Sequence, residues 1–198
     1  METIYSNASI KNIPIVTLRD LKLYLNMTDT DRAKMIAVLI CPSMKAIDKN
    51  LFYVYNEKTC IWSSHGGTDF ENYTMELLNQ VTKDMKKFVK TLDDCDWGKE
   101  DDKYIKACYK KHDEKKYQGD MASKIWSFIL DSNFVTNLDK SPYMLSLKNG
   151  TKIDLRDASV SQRIKEDYLT YESDVNLKEK TPHADKFFKQ IRRTRVYA

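Results

Sequence analysis

Apolar residues along much of this chain recur at helical spacing. The longest run is Phe70, Tyr73, Leu77, Val81, Met85, Phe88 and Leu92, with Leu78 and Val89 beside them. That spacing predicts an amphipathic helix of about six turns. Upstream, Leu18, Leu21 and Leu25 share one face of a shorter helix. Thr17 is its cap, and Asp20 sits where an acid favours a helix start. A second helix is expected to begin after Asp29 or Thr30, with Met35, Ile36, Leu39 and Ile40 as its apolar stripe, and to end at Pro42. The charged stretch 103–117 predicts a helix with Tyr104 and Cys108 inward. A further helix is expected to be capped by Asp120, with Met121, Ile125, Phe128 and Ile129 on one face and Trp126 extending it.

Two stretches break this period. Residues 51–62, LFYVYNEKTCIW, set bulky aromatic and β-branched residues on either side of a polar turn at Asn56–Thr59, which predicts a hairpin. Residues 143–155, YMLSLKNGTKIDL, carry Asn-Gly between apolar alternations. A two-residue turn there would set Leu147 opposite Lys152 and mix the faces. A three-residue loop sets Leu145 opposite Ile153 and Tyr143 opposite Leu155, with Gly150 in the left-handed conformation. Residues 172–182 are polar and end in Thr181-Pro182, a linker pattern. A last short helix from about His183 places Phe187, Phe188 and Ile191 near a basic cluster. The expected class is α+β, mainly α-helical with one or two small β-hairpins.

Composition agrees: 198 residues, 41% hydrophobic, with only 5 Gly and 4 Pro, suit one domain, or one domain with an appended segment, built of helices with a few strands rather than a many-stranded β protein. The net charge of +4 permits nucleic-acid contact without demanding it. Cys41, Cys60, Cys95 and Cys108 form no CxxC pair, and no signal-peptide pattern opens the chain, so free thiols in a reducing compartment are expected.

The search for chemistry mostly excludes. No glycine lies in a G-x-x-x-x-G-K-[ST] phosphate loop, so ATP binding of that kind is not expected. Asp29-Thr30-Asp31 and Asp94-Cys95-Asp96 have the local form of a metal-holding carboxylate pair, but helix capping and a solvated loop explain them more simply. Cys108 and His112, with Cys60 and His65, are the one candidate zinc set. The competing reading turns Cys108 to the core and leaves His112 in solvent. His65, His112 and His183 fall in no pattern that fixes a nucleophile, base and acid. No catalytic residue and no metal ligand is therefore assigned. Lys186, Lys189, Arg192, Arg193 and Arg195 are the candidate DNA-binding residues, on phosphate chemistry; an ordinary solvated helix end is the other reading.

The order of several short motifs is more specific. LFYVYNEKTCIWSS ends a strand pair in Trp62. A long helix follows, then a helix with Ile125 and Trp126. Asn149-Gly150-Thr151-Lys152-Ile153-Asp154-Leu155 comes next, followed by Arg156 and then Asp167-Tyr168-Leu169-Thr170. This order resembles the helical domain that precedes the superfamily 3 AAA+ helicase motor in poxvirus- and phage-type primase–helicases. The Asn-Gly element here is one residue longer than usual in that family. The matching residues, Trp62, Asn149, Gly150, Asp154, Leu155, Asp167 and Tyr168, are expected to be structural.

The resemblance implies a replication protein of a large DNA virus or mobile element. It divides the chain into an N-terminal helical segment (1–50), the helical domain itself (51–175) and a basic linker helix toward the motor (176–198). It implies a non-catalytic collar that supports ring assembly, usually of a hexamer, and joins primase to helicase. No cofactor is expected in this chain, while ATP and Mg belong to the parent motor. The implied partners are the neighbouring primase and helicase domains of the same polypeptide, further copies in the parent, and single-stranded DNA; no membrane is involved. The implied location is intracellular, at a viral replication site in the host cytoplasm. The alternative is a free-standing helical adaptor that binds another protein.

Overall fold

The computed structural model describes residues 15, 17–92, 97–148 and 150–174. Helix α1 (Leu18–Asn26) opens with a capping box, in which Thr17 Oγ1 accepts from the Asp20 amide and Asp20 accepts from the Thr17 amide. Helix α2 (Asp29–Ile40) starts earlier than its apolar pattern implied. Thr28 is the cap, its hydroxyl accepting from the Asp31 amide at 3.2 Å, and Asp29 is already helical. Helix α3 (Gly67–Val89) is the long amphipathic helix, burying Phe70, Tyr73, Leu77, Leu78, Val81 and Met85.

Helix α4 (Lys99–Asp113) and helix α5 (Lys115–Ile129) differ from expectation. The chain does not run helical to residue 117. Glu114 turns extended, with φ −78° and ψ 119°, and α5 begins at once, so Asp120 lies inside that helix and caps nothing. Tyr104 points to solvent with 67% of its surface exposed; Ile105, Cys108 and His112 take the inward face. Phe128 is likewise 42% exposed, while Met121, Ile125 and Ile129 are buried. A charged helix with few apolar residues shows its period weakly, and Tyr104 one position off the face was enough to shift the reading.

Each expected hairpin gains a third strand. Strands β1 (Met44–Ala46), β2 (Leu51–Asn56) and β3 (Ile61–Gly66) form an antiparallel sheet in that order. Strands β4 (Met144–Ser146), β5 (Thr151–Asp154) and β6 (Ser159–Gln162) form the second. Leu145 pairs with Ile153, and the Leu155 amide donates to the Tyr143 carbonyl at 2.8 Å, the register of the three-residue loop. Gly150 has φ +80°. Replacing it with valine is expected to cost about 1–2 kcal/mol, since a β-branched residue resists that region. An unchanged urea midpoint would show that the turn tolerates a side chain.

One apolar cluster collects α1 to α5 and the first sheet: Leu21, Ile36, Phe52, Leu78, Ile105 and Ile125 all belong to it. Helices α1 and α2 therefore share their core with the helices that follow. A smaller cluster of Tyr55, Trp62 and Phe134 lies on the first sheet, with Tyr168 packed against it. It joins the first sheet to the segment that follows β6. None of the helices among the described residues is long and apolar enough to cross a membrane.

Candidate functional site

Two of the motif residues, Trp62 and Tyr168, meet where the first sheet packs on the segment that follows β6. Trp62, next to the turn end of β3, is 1% exposed. Its ring lies 4.7 Å from that of Phe134, which a 3-10 turn (Phe134–Asn137) presents, and 6.5 Å from a stacked Tyr168. Its indole N–H donates to the Lys165 carbonyl at 3.3 Å, and its amide donates to the Leu169 carbonyl at 2.8 Å. The Lys165 ammonium sits over both Tyr55 and Trp62, at 5.0 and 5.7 Å from their ring centroids. Partial burial pushes the pKa of that ammonium down, against the pull of Glu57 and Glu166.

The Asp-Tyr-x-Thr element forms the other half. Asp167 accepts from the Ile164 amide at 2.7 Å and pairs with Lys152 of β5. Tyr168 takes a left-handed conformation, φ 52°, which turns its ring onto Trp62. Leu169 is buried, and Thr170 donates through its amide to Asp139 at 2.9 Å. Asp154 holds Arg156 through two guanidinium nitrogens, at 2.5 to 3.1 Å. Leu155 pairs back to Tyr143, and Gly150 forms the far turn of the second sheet. Asn149 lies outside the described residues, as do Lys186, Lys189, Arg192, Arg193 and Arg195.

Sequence reasoning missed Arg163. It is 4% exposed; its Nη1 donates to Ser146 Oγ at 2.7 Å and its Nη2 to Glu172 at 3.1 Å. With the Ser173 amide donating to the Ser146 carbonyl, it fixes residues 172–173 along β4. A single arginine in a polar stretch carries no sequence signal for this. Two hollows flank Tyr168. One, of about 360 Å³, is lined by Lys45, Trp62, Asp131, Phe134 and Lys165. The other, of about 560 Å³, is lined by Lys140, Tyr143, Arg156, Asp167 and Leu169. Both mix cations with carboxylates.

His112 overturns its expected place in solvent: it is 0% exposed, between α1, α3 and α4. Nδ1 lies 2.9 Å from Thr82 Oγ1, and Nε2 lies 3.2 Å from Tyr24 Oη and 3.5 Å from Cys108 Sγ. Burial, reinforced by Arg32, lowers its pKa to about 4, so it is neutral at pH 7. Beside it, Asp29 binds Lys111 at 2.8 Å and Arg32 at 3.2 Å. Burial opposes the charged form of Asp29, but the bond and charge of Lys111 hold its pKa below the usual value. Asp29 therefore cross-links α2 to α4 as well as starting its own helix. Among the described residues, no three His, Cys, Asp or Glu side chains converge as a metal site.

One alignment has the form of hydrolytic chemistry. Ser63 Oγ lies 3.1 Å from His65 Nε2, and His65 Nδ1 lies 4.0 Å from Asp69. The second gap is too long for a hydrogen bond. Asp69 instead accepts from the Gly66 amide at the start of α3, and Ser63 lines none of the hollows described. Among the described residues, no acid hydrogen-bonds His65 as such a nucleophile requires.

No curated protein matches this chain. The family described as D5 N terminal like matches residues 43–193, from the residue before β1 through most of the basic segment. With its motifs in order and most of its length covered, the chain belongs to the D5 N terminal like family, which is found in primase–helicases of poxviruses and phages.

Proposed function

We propose that this chain is the non-catalytic collar of a viral DNA primase–helicase, joining a primase domain to a helicase motor and supporting assembly of the motor ring. The family match over residues 43–193 carries this reading. Two observations support it. The sequence has no phosphate loop, so hydrolysis belongs to another part of the parent protein. The motif residues spend their polar groups and rings inside the fold, as a mechanical joint does: Trp62 and Tyr168 stack on each other, Asp167 pairs with Lys152, and Asp154 with Arg156.

The C-terminal cluster of Lys186, Lys189, Arg192, Arg193 and Arg195 is the proposed contact to single-stranded DNA entering the ring. Fluorescence anisotropy of labelled single-stranded DNA, titrated with the chain at low and moderate salt, tests this. Salt-sensitive binding is expected, and the double charge reversal R192E/R193E should weaken it about tenfold or more. Absence of binding at low salt removes the DNA contact and leaves assembly and linkage as the role.

A further inference from the structure

The second sheet treats its two edges differently. Hydrogen bonding alternates along β5: Thr151, Ile153 and Leu155 face β4, while Gly150, Lys152 and Asp154 face β6. The same alternation leaves Met144 and Ser146 of β4 pointing outward. Both are covered, because Tyr171 donates its hydroxyl to the Met144 carbonyl at 2.5 Å and the Ser173 amide donates to the Ser146 carbonyl at 2.8 Å. On β6 the outward residues are Val160 and Gln162. Their N–H and C=O groups meet no partner among the described residues, and all four residues of the strand are exposed.

Apart from being short, at four residues, the strand has none of the usual protection of an edge. Ser159-Val160-Ser161-Gln162 holds no charge and no proline. Val160 is 53% exposed, and Ile164, on the same face by strand parity, is 51% exposed.

We propose that β6 is a self-association edge, pairing antiparallel with β6 of a second copy. The occupant follows from the strand's self-complementarity. In a two-fold pairing, outward residues must meet outward residues, so the axis passes through a residue. With the axis at Ser161, Val160 meets Gln162 of the second copy and Gln162 meets its Val160. Every free amide and carbonyl of both residues is then satisfied. The same register sets Val160 diagonal to the second copy's Ile164, within reach of a cross-strand apolar contact. Two three-stranded sheets become one of six. This contact closes at two copies. It is separate from a ring contact, which runs head to tail, so the two readings fail independently.

Sedimentation velocity of the full chain over a range of concentrations tests the pairing. A reversible dimer is expected. Gln162→Pro removes an outward N–H while sparing the bonds between β5 and β6. It should weaken the dimer by about tenfold or more, two backbone hydrogen bonds being lost per pair. Val160→Lys, at a side chain already in solvent, should do the same without risk to folding. A chain that stays monomeric at all concentrations overturns the proposal. So does a dimer indifferent to both substitutions, which would assemble through another surface.

Discussion

Trp62→Ala is expected to cost about 3–5 kcal/mol, the range for removing a large aromatic side chain from a packed site. The loss has three parts. Ring contacts to Tyr55, Phe134 and Tyr168 disappear. The Lys165 carbonyl loses its donor, and the Lys165 ammonium loses one of its two aromatic faces. Because these contacts tie residues 165–169 to the first sheet, the damage should be uneven. Amide exchange should quicken over 165–173 more than in α3. Trp62→Phe should recover much of the loss, since it keeps an aromatic body and gives up only the indole N–H. Urea denaturation of both variants is the measurement. A cost below about 1 kcal/mol for the alanine variant would mean that the joint is held by other contacts.

Acidification should destabilise the protein through His112. The folded pKa is about 4, against an ordinary value of 6.5. Between those values the unfolded chain binds a proton that the folded chain does not, so stability rises with pH there. The contribution is fully present above pH 6.5 and fades as pH falls toward 4. The shift corresponds to about 3 kcal/mol. The groups facing the ring give it no charged partner that would rescue the proton: Thr82, Tyr24 and Cys108 are neutral, and Arg32 and Lys111 repel it. Among the described residues, Asp113, which is exposed, and the Leu78 backbone favour protonation, and burial outweighs both. Asp29 adds a separate acid step at lower pH. Its lowered pKa gives stability above the unfolded value that is lost as pH falls through the folded one. His112→Gln should lower stability at pH 7 and flatten the slope between pH 6.5 and 4. Chemical denaturation across that interval would settle it: an unchanged slope in the variant means that another group titrates there.

The sequence was informative wherever structure is local. Period and capping found α3 and the start of α1, because a six-turn apolar stripe and a Thr-x-x-Asp box depend only on neighbours in the chain. The register of β4 and β5 was also legible: apolar alternation admitted one loop length that kept Leu145 opposite Ile153, with Gly150 at the positive φ. The family was legible from motif order, although no single motif was specific.

What tertiary structure alone decided has a common cause, partners that a residue's own local pattern does not name. Strand β1 has three residues and exists because Phe52 and Val54 lie beside it. Strand β6 has no apolar alternation and exists because β5 offers its second edge. Tyr104 and Ile105 are adjacent, and only the packing of α4 on α1, α3 and α5 chose which faces inward. His112, set in a run of lysines and acids, reads as solvated by composition. Its burial required a hydroxyl from Thr82, thirty positions away, and another from Tyr24, eighty-eight away. A polar side chain enters a core only when partners meet it there, and the sequence does not state where those partners will be.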